Sequence, residues 1–402
     1  MLNIRKDFPY LKSKELDSII YFDNASTSQK PYQVIEAISN YYAYHNAPVH
    51  RGIYSKSEQA TTLYEESRET VSKFIGADKD EIIFTKGTTE GINFIAQSWA
   101  SYNLKPGDEI IISKLEHHSN ILPWIRLMQE KDIVLKYIPI TNNFELDYKA
   151  YTKLLSNKTK LVSITSCSNA VGSITDLDFI IKHAKVYNAK VLVDAAQTIG
   201  HRDFNLKNLN IDFLAFSGHK ILGPTAIGVL YISKDMQKEV RPYQLGGGMV
   251  LDVNDYDFIS LNPPNCYQAG TPAIAQAIGL SQAIKYISDN IDYDLLKKHE
   301  SALCAYLIQE LSKFDHIKIL GPKDQLSNSG HIVSFVSTLY HPHDIAFYLD
   351  QFNIAVRAGN HCAQPLFKNI GINGSVRASF YIYNTFEEVE TLVKALNKLF
   401  RK

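Results

Sequence analysis

Three residues in this chain have the types and surroundings for covalent or proton chemistry: Lys220, Asp194 and Cys362. Lys220 follows the apolar run Phe213-Leu-Ala-Phe216 and precedes Ile221-Leu222-Gly223-Pro224. A lysine just past a strand is ordinarily a solvated loop residue. Apolar flanks on both sides predict partial desolvation, which lowers an amine's pKa and frees it for Schiff-base chemistry. Asp194 closes Val191-Leu-Val-Asp194, at the carboxyl end of a buried strand, where a helix cap or metal ligand is the common role. It stands twenty-six residues before Lys220. Beside a Schiff-base lysine, such a carboxylate keeps a pyridine nitrogen protonated, the requirement of a pyridoxal 5′-phosphate (PLP) site.

Two further motifs suit that chemistry. Ile83-Phe-Thr-Lys-Gly87-Thr88-Thr89-Glu90 reads as a strand ending in a glycine turn that opens a helix. Free N–H groups and the helix dipole there favour a phosphate, and the threonine hydroxyls add donors. No Gly-Lys-Ser/Thr follows, so this is not a nucleotide P-loop. Glu116-His117-His118 also follows a strand. Adjacent residues of an extended chain point to opposite sides, which argues against both histidines holding one metal. A ring stacked on a planar cofactor is the better role for one of them.

The cysteines separate by context. A buried, inert thiol is the default, and Cys304, inside the helical run Ser301–Leu311, fits it. Cys266 follows Asn-Pro-Pro-Asn and is expected to be half-exposed, with no basic neighbour. Cys167 precedes Ser168-Asn169 near the expected cofactor. Cys362 follows His361 in a polar loop between Arg357 and Pro365. Nearby positive charge favours the thiolate, the form that reacts, so Cys362 is the preferred nucleophile.

The elements that must position these residues are legible in outline. Glu81–Thr85, Glu109–Ser113, Ile133–Ile140, Lys160–Thr165, Lys190–Asp194, Asp212–Phe216 and Ile227–Ile232 read as strands. Thr88–Tyr102, Asn120–Glu130 and Leu177–Tyr187 carry helical spacing. Buried strands with helices between them predict an α/β domain on a mainly parallel seven-stranded sheet. Beyond Gly246-Gly247-Gly248, a long helical stretch is expected from Ala273 to Asn290 and on to Phe314. Strands near His331–Val336, Ala355–Arg357 and Ser375–Tyr383 follow. A last helix opens on the capping box Thr385-x-x-Glu388, with Val389, Leu392, Val393, Leu396, Leu399 and Phe400 on one face. The expected division is a large domain over 20–275 and a small α+β domain over 285–402, with residues 1–19 packing on the latter. His341-Pro-His343-Asp344 opens another helix; an N-terminal cap is its commoner role, a docking or partner-metal contact the rarer one.

Composition narrows the function. Of 402 residues, 42 are basic and 42 acidic, so no field draws the chain to nucleic acid or an anionic membrane. The hydrophobic fraction of 45% is that of an ordinary globular protein. No apolar run approaches a transmembrane helix, and the N-terminus interleaves charges with its apolar residues, unlike a signal peptide. Four scattered cysteines suit a reducing compartment, and a cytoplasmic location is expected.

Ten motifs in order carry a resemblance over nearly the whole chain. They are Asp23-Asn-Ala, His50-Arg-Gly, Gly87-Thr-Thr-Glu, Glu116-His-His, Ser168-Asn169, Asp194-Ala-Ala-Gln197, Ser217-Gly-His-Lys220, Ala269-Gly-Thr-Pro272, Arg357-Ala-Gly-Asn-His-Cys362-Ala and Val376-Arg377-Ala-Ser. Together they resemble the SUF-type (group II) cysteine desulfurases, fold-type I PLP-dependent transferases of the aminotransferase class V group. The resemblance implies that Lys220 bears the cofactor, Asp194 pairs with its ring nitrogen, His117 stacks on the ring, and Gln197 donates to its 3′-oxygen. It gives Thr88, Thr89, Ser217 and His219 to the phosphate and Thr271 to the phosphate of a neighbouring subunit, hence a homodimer. Asn169, Arg357 and Arg377 fall on the substrate side, Arg377 as the carboxylate clamp. Cys362 accepts sulfur from L-cysteine, releasing L-alanine, and passes it to an acceptor protein of the SUF system for iron–sulfur cluster assembly. A selenocysteine lyase is the alternative enzyme, and a catalytically silent scaffold of an iron–sulfur assembly complex the alternative of another class. Asn360, Gln268 and Tyr54 depart from the family pattern, and no metal ligand set is implied.

Overall fold

The computed structural model describes residues 4–12 and 19–400. Its main sheet has seven strands in the spatial order Ile82–Thr85, Gly228–Ile232, Phe213–Ser217, Lys190–Asp194, Thr159–Thr165, Glu109–Ser113 and Val134–Ile138. Every expected strand is present. Gly228–Ile232 runs antiparallel to both its neighbours, and the other pairings are parallel, so the sheet is mixed with a parallel majority.

Side-chain alternation builds a core on each face. Ile110 and Ile112 enter one apolar cluster together with Leu161, Leu192 and Leu230. Ile111 enters the other with Val162, Val191, Val193 and Leu214. Strands buried on both faces read as continuous Val/Ile runs, which is why they were visible in the sequence. Gly228 answers a different demand: a Cβ there would lie 2.5 Å from the Cα of Gly87 and from the carbonyl of Phe216. The missing side chain lets the antiparallel strand approach the turn before Thr88.

The helices depart from expectation in two places. The stretch after Thr88 is helical to Ile95, widens into a π turn over Ala96–Ala100, and ends at Asn103. The long stretch is two helices, Ile274–Asn290 and Tyr293–Leu311, rather than one. Ile291 is extended, and the Asp292 carboxylate accepts the N–H groups of Asp294 and Leu295. That cap begins a new helix and ends the old one.

A second, antiparallel sheet has the order Ile317–Leu320, Ile332–Ser337, Ser375–Ser379, Arg357–Gly359. The expected strand at 355–357 is divided. Ile354–Ala355 pairs in parallel with Ile20–Tyr21, and Arg357–Gly359 forms the sheet edge. The final helix, Phe386–Phe400, starts at the expected capping box: Thr385 N–H donates to Glu388 at 3.0 Å, and Glu388 N–H to Thr385 Oγ1 at 3.3 Å. Its Val389, Leu392, Val393 and Leu396 join Leu303, Leu307 and Phe335 in a third core. His201 ties the two sheets' surroundings together. Its Nδ1 meets Glu300 Oε1 at 2.8 Å, and its ring stacks on His331 at 3.8 Å. Among the described residues, no helix is long and apolar enough to cross a membrane.

Candidate active site

The strands ending at Thr85, Ser113, Thr165, Asp194 and Ser217 all present their carboxyl ends to one edge of the main sheet. Ligands of open α/β sheets collect at such an edge. A cavity of about 270 Å³ lies there. Thr88, Thr89, His117, Asn169, Asp194, Gln197, Ser217, His219, Lys220, Arg357, Cys362 and Arg377 all line it. Of the residues expected at the site, Thr271 alone does not. It lines a separate cavity with His50, Arg51, Arg68 and Gln268.

Lys220 ends a short 3-10 turn after strand Phe213–Ser217. Burial pushes its amine down to about 8; the opposing attraction of Asp194 is smaller, and Arg377 adds to the lowering. The loop after Phe22 holds this turn in place. The His219 carbonyl accepts from Ser28 N–H at 3.0 Å, and from Thr27 Oγ1 and Lys30 Nζ at 3.1 Å each. Asp194 is buried, and its Oδ1 accepts the N–H of Ala196 at 2.9 Å. Burial raises its pKa, while that hydrogen bond and Lys220 pull the other way.

The two histidines face different ways. His117 lines the cavity, and burial, reinforced by the charge of Lys220, pushes its ring down to about 3, so it is neutral. His118 is turned to the Cys362 loop, where its Nε2 accepts the N–H of Gln364 at 3.2 Å. Behind them Glu116 is fully buried between Ser113, 2.5 Å away, and Asn120, 2.7 Å away. Burial pushes its carboxyl up to about 8.

At the helix opening, Thr88 N–H donates to Ser217 Oγ at 2.9 Å, and the two hydroxyls lie 2.8 Å apart. Thr89 Oγ1 meets Ser119 Oγ at 2.7 Å. The Gln197 amide donates to the carbonyl of Ala25 at 2.8 Å, and Asn169 Nδ2 to that of His361 at 2.6 Å. Arg377 is fully buried on strand Ser375–Ser379, donating to Asn169 O, Asp23 Oδ1 and Ser26 Oγ. Arg357, more exposed, reaches the same Ser26 Oγ at 3.1 Å.

Cys362 is the exposed thiol of the four. Cys167 also lines the cavity but is buried, and burial pushes its thiol up to about 12. Cys266 is buried rather than half-exposed, in the turn Asn265–Tyr267, and is pushed up to about 11 for the same reason. Cys304 is buried, as its helical context implied.

The sequence matches the aminotransferase class-V family over residues 20–392. The chain belongs to this family. It is 42% identical to a probable cysteine desulfurase of Staphylococcus epidermidis over 98% of this chain and 95% of that protein. The apo structure of a cysteine desulfurase from Thermococcus onnurineus NA1 superposes with a TM-score of 0.95 at 41% identity, covering 100% of this chain and 98% of that one. The Escherichia coli cysteine desulfurase CsdA, in its S-sulfonic acid form, gives 0.90 at 34% identity over 98% and 97% of the two chains.

The partners of Arg377, Asp23 and Ser26, were not assigned from sequence, nor was Ser119, which lines the cavity. Asp23-Asn-Ala was visible as a motif, but nothing local links Asp23 to Arg377, 354 residues away. Of the departures from the family pattern, Gln268 has a clear setting: it accepts from buried Arg68 at 2.7 Å and donates to Tyr64 at 2.7 Å. His341 caps its helix, its Nδ1 accepting the N–H of His343 at 3.3 Å, which is the commoner of its two expected roles.

Proposed function

We propose that the chain is a PLP-dependent cysteine desulfurase that converts L-cysteine to L-alanine and takes up the sulfur as a persulfide on Cys362. The observation that carries this is the meeting of Lys220, Asp194 and Cys362 on one cavity, with Cys362 the exposed thiol. The donor set fits the cofactor. Lys220 would hold it covalently, and Asp194 would take its ring nitrogen. The neutral His117 ring would cover one face, and Gln197 would donate to the 3′-oxygen. Thr88, Thr89, Ser217 and His219, at the opening of helix Thr88–Ile95, would take the phosphate. When bound, PLP supplies an electron sink that lets an amino acid's Cα–H be removed.

The chain's own groups do the rest. Among the described residues Arg377 Nε is buried with no partner, which leaves a charged donor for the substrate carboxylate. Asn169 and Arg357 flank that position. The Lys220 amine, with its pKa near 8, can take a proton from Cα and return one near neutral pH. The Cys362 thiolate attacks the substrate sulfur. The Cβ–S bond breaks with its electron pair left on carbon, which takes up a proton, and a Cys362 S–S bond forms. One sulfur moves, and alanine leaves.

The reading extends to a SUF-type place in iron–sulfur assembly with a sulfur-acceptor protein. Cys362 lies in a short link, residues 360–363, between strand Arg357–Gly359 and helix Gln364–Asn369. So short a tether has little reach, and an acceptor must come to it. A homodimer is part of the same reading. It is supported by the placement of Thr271 outside the cavity and by an exposed apolar hairpin bearing Leu251, Val253, Tyr256 and Ile259. We take 20–275 and 285–402 as the two domains. Docking of the N-terminal segment on the smaller is supported by the Arg5 bond to the Tyr383 carbonyl at 2.8 Å and the Phe8–Tyr383 ring contact. The test is incubation with L-cysteine, with and without a reductant. Alanine should form in both, with sulfide released only when the reductant is present; no alanine in either would end the proposal.

A further inference from the structure

Cys362 sits on a backbone that cannot hold its own shape. His361 and Cys362 both have left-handed φ values, +49° and +55°. An L residue there is crowded by its own Cβ, and two in succession persist only where surrounding groups fix them. Asn169 fixes the carbonyl of His361, and Ser375 Oγ meets the His361 ring at 2.9 Å. Cys362 itself is fixed by His118. The backbone N–H of His118 donates to the Cys362 carbonyl at 2.9 Å, and its ring Nε2 accepts the N–H of Gln364 at 3.2 Å. One residue therefore holds the chain at two points, at the thiol residue itself and just after it.

This hold has a firm base. His118 opens the short turn His118–Asn120, and Asn120 is buried, bonded to Glu116 and Trp124 at 2.7 and 2.9 Å. Nε2 can accept only from a neutral ring carrying its proton on Nδ1. Burial lowers the pKa of this ring, a shift towards the neutral form that the Gln364 contact requires.

Building on the desulfurase reading, we propose that His118 is a positioning residue for sulfur transfer: it clamps the Cys362 loop so that the thiol faces the cavity while sulfur moves to it. It does not line the cavity. Its effect should therefore fall on persulfide formation and leave cysteine binding alone.

The test compares the wild-type holoenzyme with His118→Phe, which keeps the bulk and removes the acceptor, and His118→Gln, whose Oε1 restores one. L-cysteine affinity is read from the cofactor's visible spectrum, and sulfur loading on Cys362 by rapid quench and mass spectrometry. In His118→Phe, affinity and spectrum should stay at wild-type values while loading slows about five- to tenfold, the worth of one hydrogen bond. His118→Gln should recover most of the rate. Loading at the wild-type rate in His118→Phe would overturn the clamp. So would an equal loss of cysteine affinity in both variants, which would mark a merely structural ring. A wild-type holoenzyme that never gains sulfur on Cys362 would overturn the underlying reading too, and that failure is recognised without any variant.

Discussion

Arg377 Nη2 lies 2.9 Å from Asp23 Oδ1, so the second sheet and the N-terminal loop share an ion pair at the rim of the cavity. Arg377 is buried, and burial lowers its pKa against the pull of Asp23, which makes the carboxylate the group that keeps this cation in place. Breaking such a pair leaves a buried charge uncompensated. Asp23→Asn should loosen the clamp, raising KM for L-cysteine about tenfold, the worth of one charge-assisted hydrogen bond. The cofactor spectrum should not change. Steady-state kinetics with absorbance spectra separate the two effects.

The Lys220 amine provides a pH signature in the cofactor-free protein. Its folded pKa, about 8, lies below the unfolded value of 10.5, so between those limits the unfolded chain binds more protons. Stability from this group therefore rises with pH across that window, and the cost of the buried charge is fully present below it. Lys220→Met should be relatively most stabilised near pH 7, and the advantage should shrink by up to about 3 kcal/mol as pH approaches 10.5. Denaturant midpoints of both proteins across that range measure it.

Gly228 sits where its strand meets the turn before Thr88. A Cβ would fall 2.5 Å from Gly87 Cα, and backbone cannot swing aside as a side chain can. Gly228→Ala should cost about 1–3 kcal/mol of stability and displace the turn carrying Thr88 and Thr89. Thermal unfolding and cofactor titration should both shift.

Two thiols line the cavity, and their burial separates them. Cys362→Ser should retain the cofactor's colour and bind cysteine yet release no sulfur, while Cys167→Ser should keep most of its turnover. The opposite pattern would assign the sulfur to the buried thiol.

What was legible in the sequence was local. Six of the seven strands showed because they bury both faces, the edge strand Val134–Ile138 being the partly exposed one, and the last helix showed because Thr385 and Glu388 cap it within one turn. Lys220 and Asp194 stood out by their apolar flanks. The break at Ile291–Asp292 was masked by apolar spacing that continues across it, although Asp292 carried the cap signal. Strand Ile317–Leu320 was missed because four residues with an exposed lysine are too short to show alternation. The Asp23–Arg377 pair and the hold of His118 on Cys362 depend on chain segments that meet only in the folded protein. No spacing could reveal them.

The central claim is that sulfur from L-cysteine arrives on Cys362. Its most direct test is the mass of the Cys362 peptide after the holoenzyme is mixed briefly with L-cysteine and alkylated, without reductant. One added sulfur on that peptide, absent in Lys220→Ala, is the expected result. An unmodified Cys362 peptide while alanine accumulates, or sulfur found on the Cys167 peptide instead, would contradict it.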